Sequence, residues 1–152
     1  MSERTIVLGV ASDIHCGSTV GLLGPDGIEL DDGGSYMPSP VQRWLWDCWT
    51  AGWEHVAKIV KREKAEFGFV SNGDATDGNH HGTTQIISPA EGAHIKAATE
   101  CFRVPLAMNP KWVWIVRGTE AHVGKGGGLE EGMAVAMNRE GAPIQRDVNT
   151  GT

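Results

Sequence analysis

The sequence predicts an α/β fold with a mostly parallel sheet, and three observations predict it. Short apolar, β-rich runs alternate with stretches of helical periodicity in the order β-α-β-α-β-α. That alternation calls for strands paired in parallel with helices packed across them. Each apolar run is followed closely by a cluster rich in Asp, His, Glu and Gly, the arrangement expected where ligands bind at the carboxyl edge of an open sheet. The 152 residues are read as a single domain over 1–152, long enough to bury a core without disulfide staples.

The first strand is Thr5–Ala11, a nearly continuous apolar run of the kind expected of a strand covered on both faces. The next stretch, an insertion loop over 16–39, is rich in glycine and aspartate. It is expected to be a mobile lid without structure of its own. The first helix opens at Ser39-Pro40, an N-cap followed by proline at the first helical position. Val41, Leu45, Cys48, Trp49, Trp53, Val56, Ile59 and Val60 then recur at helical spacing up to the charged end at Lys61–Lys64. Trp44, Trp46, Trp49 and Trp53 are read as a core face with one or two rim members, in preference to a platform for stacking bases. Glu66–Ser71 is the second strand. Ser88, Pro89 and Glu91 predict a capping box at the head of a second helix, which runs through Ala98 toward Phe102 until Pro105 ends or kinks it. Lys111–Arg117 is the third strand, and a weaker helix over Leu129–Arg139 stops at Gly141.

Thirteen Lys and Arg against nineteen Asp and Glu give a formal net charge of −6. This argues against a protein that coats nucleic acid by charge alone, but not against an enzyme that meets phosphates through metal ions. Three cysteines without a CxxC pair argue against a disulfide scaffold and make a reducing cytoplasm the default compartment. Thr5–Ala11 is too short for a secretory signal, and no later run reaches spanning length. The expected location is cytoplasmic, with no membrane partner, and the oligomeric state is left open.

The chemistry gathers in three places: Asp13-Ile14-His15, Gly73-Asp74-Ala75-Thr76-Asp77-Gly78 with Asn79-His80-His81, and Gly118-Thr119-Glu120-Ala121-His122. An Asp-x-His pair on extended backbone points both side chains one way, and carboxylate plus imidazole suits Mn, Fe or Zn. Asp74 and Asp77 beside Asp13 repel one another unless cations neutralise them. Of the adjacent His80 and His81, at most one is expected to enter the site. Gly124 and Gly126–Gly128 around Lys125 lack the phosphate-loop spacing and read as a flexible loop.

Asp13-x-His15, then Gly73-Asp74-x-x-Asp77-Gly78, then a glycine-containing third motif after a strand resemble the calcineurin-like metallophosphoesterase family, whose motifs run DxH, GDxxD, GNH[DE] and GHxH. The resemblance spans roughly Thr5 to His122. It implies half of an αββα sandwich and a centre of two divalent transition metals, Mn, Fe or Zn. It further implies hydrolysis of phosphate esters, phosphodiesters above all, with nucleic acid or nucleotides among the candidate substrates. By that resemblance Asp13 and His15 hold one metal, Asp74 bridges both, and Asp77 supports the site from behind. The third motif departs from the family: Thr119 stands in place of its asparagine and Glu120 in place of its histidine, a variant similar to phage and prophage members. Thr119 or Glu120 is then expected to give oxygen to the second metal and His122 to act as the acid. Arg117, His80 and His81 are candidate substrate contacts. No GHxH follows His122, so the expectation is either that the 152 residues are part of a longer domain, the favoured reading, or that His80, His81 or His94 supplies the missing nitrogen. The rival reading is a non-catalytic binding or assembly module on the same fold.

Overall fold

In the computed structural model, residues 4–80, 82–123 and 127–145 are described. His81, the loop residues 124–126 and the end of the chain from Arg146 lie outside them. The readings of His81 as a substrate contact and of Lys125 in a flexible loop therefore have no structural counterpart here.

Strands β1 (Ile6–Ala11), β4 (Glu66–Asn72) and β5 (Trp112–Val116) form a parallel sheet in the order β1-β4-β5. Gly9 lies opposite Phe69, and Phe69 opposite Val113. The remaining elements among the described residues are the short strands β2 (Ile28–Glu29) and β3 (Ser35–Tyr36) and the helices α1 (Pro40–Glu63), α2 (Glu91–Leu106), α3 (Glu120–Val123) and α4 (Gly128–Arg139). No helix among them is long and apolar enough to cross a membrane.

Helix α1 starts where its sequence says it should. Ser39 accepts from the Gln42 amide, and the Gln42 side chain accepts from the Ser39 amide, closing a capping box. Lys64 ends the helix in a left-handed conformation at φ 48°. The tryptophans divide as expected. Trp53 is buried, edge-on to Phe67 and Phe69, and Trp49 packs on Trp53 with ring centres 5.3 Å apart. Trp44 stays at the rim, 63% exposed.

Helix α2 corrects its predicted start. Its N-cap is Ala90, with no side-chain cap. Ser88 instead accepts from the Ala90 amide in a local turn, while the Ser88 carbonyl is held by His94 Nε2 at 2.7 Å. That bond draws the Ser88-Pro89 turn against the helix side, where it cannot serve as the cap. Pro105 lies in the last turn and the helix ends one residue later. The inner face of α2, Ala97, Ala98, Cys101 and Phe102, packs with Met133 and Met137 of α4 in one core with Phe69 and Val113.

Two further expectations are corrected. First, β1 is covered on one face only. Gly9 lies under Trp53, whereas Ile6, Leu8 and Val10, on the opposite face, are about half exposed. Val116 is exposed on the same face. Trp112 and Trp114 stack on one another beside Gly68 there. A run of apolar residues cannot by itself report whether both sides of its sheet are covered. Second, the segment 16–39 is not structureless. Cys16, Leu22, Leu23 and Ile28 are buried in the core, and β2 pairs antiparallel with β3. Gln42 of α1 donates to the carbonyls of Ser18 and Gly21. The apolar residues spaced among the glycines and aspartates give this segment enough surface to bury, which removes the basis for a disordered lid.

Candidate metal centre

The loops that leave β1 and β4 go on pairing beyond the strands. The amides of Asp13, His15 and Cys16 donate to the carbonyls of Gly73, Asp74 and Ala75, and the amide of Asp77 returns the pattern by donating to Cys16. This lacing holds the two motifs side by side at the carboxyl edge of the sheet. Asp13, His15 and Asp74 adopt left-handed backbone, with φ of 56°, 45° and 48°, so the pair does not share a face through extended backbone as its spacing suggested. Asp and His tolerate this region better than most residues, and such strain persists where surrounding bonds over-determine it.

Donor atoms of Asp13, His15 and Asp74 lie within 4.8 Å of one another, and so do those of a second group, His15, Asp77 and His122. Asp77 is the hub of the second group. Its Oδ1 is 3.0 Å from His15 Nδ1, 3.3 Å from His122 Nδ1 and 3.6 Å from His80 Nε2. His122 Nδ1 also lies 3.2 Å from the Asp77 carbonyl. Asp13 is the outermost member, capped by the Ser12 hydroxyl. Asp13, His15, Asp77, His80 and His122 line a cleft of about 670 Å³ that Val20, Leu22, Leu45 and Trp49 also line.

The third motif is only partly drawn in. The Thr119 amide donates to Asp74 Oδ1 at 2.8 Å, and its hydroxyl lies 3.2 Å from the same oxygen. Glu120 is exposed on the first turn of α3 and joins neither donor group. Arg117 does not line the cleft. Its guanidinium sits 3.8 Å from Glu131 of α4 and against Gly127. His94, one of the candidate nitrogen donors, is buried with both ring nitrogens engaged, Nδ1 by the Gly78 amide and Nε2 by Ser88. It shapes the loop and joins neither candidate donor group among the described residues.

No protein-family model, curated protein or solved structure matches this chain.

One supporting residue escaped the sequence reading altogether. Glu130, in the first turn of α4, is buried, and its two oxygens accept from the amides of Ala75 at 3.1 Å and Gly118 at 2.6 Å. It thereby clamps the β4 loop to the β5 loop directly behind Asp74. Burial pushes its carboxyl above the usual range, and the nearby charge of Asp74 adds to the rise, while the two amides pull the other way. The available signal was weak: a glutamate at the N-terminal turn of a helix that follows glycines is ordinarily a solvated dipole partner. Gly118 matters for the same contact, because a Cβ there would fall on the Asp74 carboxylate and amide.

Proposed function

We propose that this cleft is the metal centre of a hydrolase acting on phosphate esters, with phosphodiesters as the favoured substrates. The observation that carries the reading is the convergence of Asp13, His15 and Asp74, from loops some sixty residues apart, to within 4.8 Å. Two carboxylates and an imidazole suit Mn, Fe or Zn. Thr119 beside Asp74 is the oxygen left for a second ion of a dinuclear centre. The resemblance of the DxH and GDxxDG motifs supports the same assignment. The helix-backed sheet with an apolar far face fits one half of an αββα sandwich.

A bound pair of such cations would polarise the phosphoryl oxygens and lower the pKa of an attacking water. The chain's own residues do the rest. Asp77 accepts from His15 Nδ1, which fixes that ring's tautomer and aims Nε2 at the Asp13 and Asp74 carboxylates, the carboxylate–histidine pairing common behind metal ligands. His122 is held at Nδ1 by Asp77, so Nε2 is its proton-exchanging atom and serves the leaving oxygen. Val20, Leu22 and Trp49 form an apolar wall for the organic part of the ester.

The test is hydrolysis of bis-p-nitrophenyl phosphate with added Mn²⁺, beside Asp74→Asn. Metal-dependent turnover that disappears in the variant is the expected result. Failure to bind Mn²⁺ overturns the reading. The exposure of Glu120 and the loss of the family's asparagine at Thr119 favour the alternative of a binding or assembly module, for which Mn²⁺ would bind without turnover.

A further inference from the structure

Three imidazoles converge on one carboxylate oxygen in this cleft. Asp77 Oδ1 has ring nitrogens of His15, His122 and His80 at 3.0, 3.3 and 3.6 Å. The rings lie edge to face, with centres 4.5 Å apart for His15–His122 and 4.4 Å for His80–His122. Their side chains are less than a third exposed.

Donor atoms of His15, Asp77 and His122 lie within 4.8 Å of one another, and His80 adjoins them through Asp77. Zinc bonds of about 2.0–2.1 Å in a tetrahedron set neighbouring donors about 3.3 Å apart, in the middle of the three distances from Asp77. Three nitrogens and one carboxylate oxygen form a donor set that selects zinc over magnesium or calcium. We infer that Asp77, His15, His122 and His80 form a tetrahedral site for a zinc-class cation, distinct from the Asp13–Asp74 group and in competition with it for His15. The competition follows from tautomers: a neutral imidazole has one lone pair. When His15 ligates through Nδ1, its proton sits on Nε2, which faces Asp13 Oδ1 at 3.9 Å and can no longer serve a cation there. The Asp13–Asp74 group is then left with oxygen donors alone. Ligation of His122 at Nδ1 likewise places its proton on Nε2.

Binding at this site does not depend on phosphoesterase activity, and the experiment separates the two. Co²⁺ replaces zinc and absorbs strongly in the visible when tetrahedral. Titrating the 152-residue chain with Co²⁺ is expected to produce that band. His80→Gln and His122→Gln should each weaken Co²⁺ binding by more than about tenfold, the loss that even an outer-shell partner of a ligand typically causes. Asp13→Asn should keep the band. Thermal melts of the metal-free variants confirm that each is folded. Zn²⁺ should also displace Mn²⁺ from the unmodified chain but not from the double variant His80→Gln/His122→Gln. Absence of a tetrahedral band overturns the inference, as does a band that Asp13→Asn removes and both histidine variants retain. A Co²⁺ band from a chain that shows no turnover with Mn²⁺ alone defeats the phosphoesterase reading alone, and Mn²⁺-dependent turnover by a chain that gives no Co²⁺ band defeats this site alone.

Discussion

The backbone amide of Thr119 donates to Oδ1 of Asp74 at 2.8 Å, and this bond joins the loop after β5 to the buried carboxylate of the candidate metal group. The approach is possible because Gly118, the preceding residue, carries no Cβ. Gly118→Ala is therefore expected to displace Asp74 and weaken Mn²⁺ binding by more than about tenfold. The overpacking should lower stability by about 1–3 kcal/mol. Thr119→Val keeps the amide bond and loses only the hydroxyl, so its effect on Mn²⁺ affinity should be smaller. Calorimetric titration with Mn²⁺ and thermal unfolding of both variants check this, and a Gly118→Ala chain that binds Mn²⁺ like the parent would remove Asp74 from the ligand set.

Glu130 links stability to pH. Its carboxyl is raised by burial and by the neighbouring Asp74, so its folded value exceeds the unfolded one of about 4.3. A raised group contributes stability that is full below the unfolded value and is lost as pH rises through the folded one. Glu130→Gln presents an amide nitrogen to one of the two backbone donors and should cost about 1–3 kcal/mol. Because only the parent gains from protonation, the gap between parent and variant should be wider near about pH 4 than near pH 8. Melting curves of the metal-free proteins across that range decide it, and a gap that widens toward alkaline pH would contradict the assignment.

The two faces of the sheet should respond oppositely to substitution. Leu8 and Val10 are more than half exposed, whereas Phe69 is fully buried against Trp53 and Phe102. Leu8→Lys and Val10→Lys are expected to change the stability of this chain by no more than about 0.5 kcal/mol each, and to reduce its tendency to self-associate. Phe69→Ala should cost about 3–5 kcal/mol. Denaturant unfolding with matched light-scattering measurements tests the contrast. Equal losses on the two faces would mean that the outer face is covered in solution.

By itself the sequence determined what local chemistry controls. The β-α-β-α-β-α alternation follows from apolar runs and helical periodicity, the start of α1 from Ser39-Pro40, and the division of the tryptophans between core and rim from their spacing. The positions of Asp13, His15 and Asp74 after their strands were enough to forecast their meeting, because a parallel sheet puts all strand carboxyl ends on one edge. What only the tertiary structure decided depends on partners far apart in the chain. His15 and Asp77 meet across 62 residues, Thr119 and Asp74 across 45, and Glu130 and Ala75 across 55. His94 and His122 are alike as isolated residues, yet the fold gives both nitrogens of one to the Ser88–Gly78 loop and turns the other into the cleft. The same holds for the open face of β1 and the ordered segment 16–39: burial is a property of what packs opposite a residue, and no local pattern encodes that neighbour.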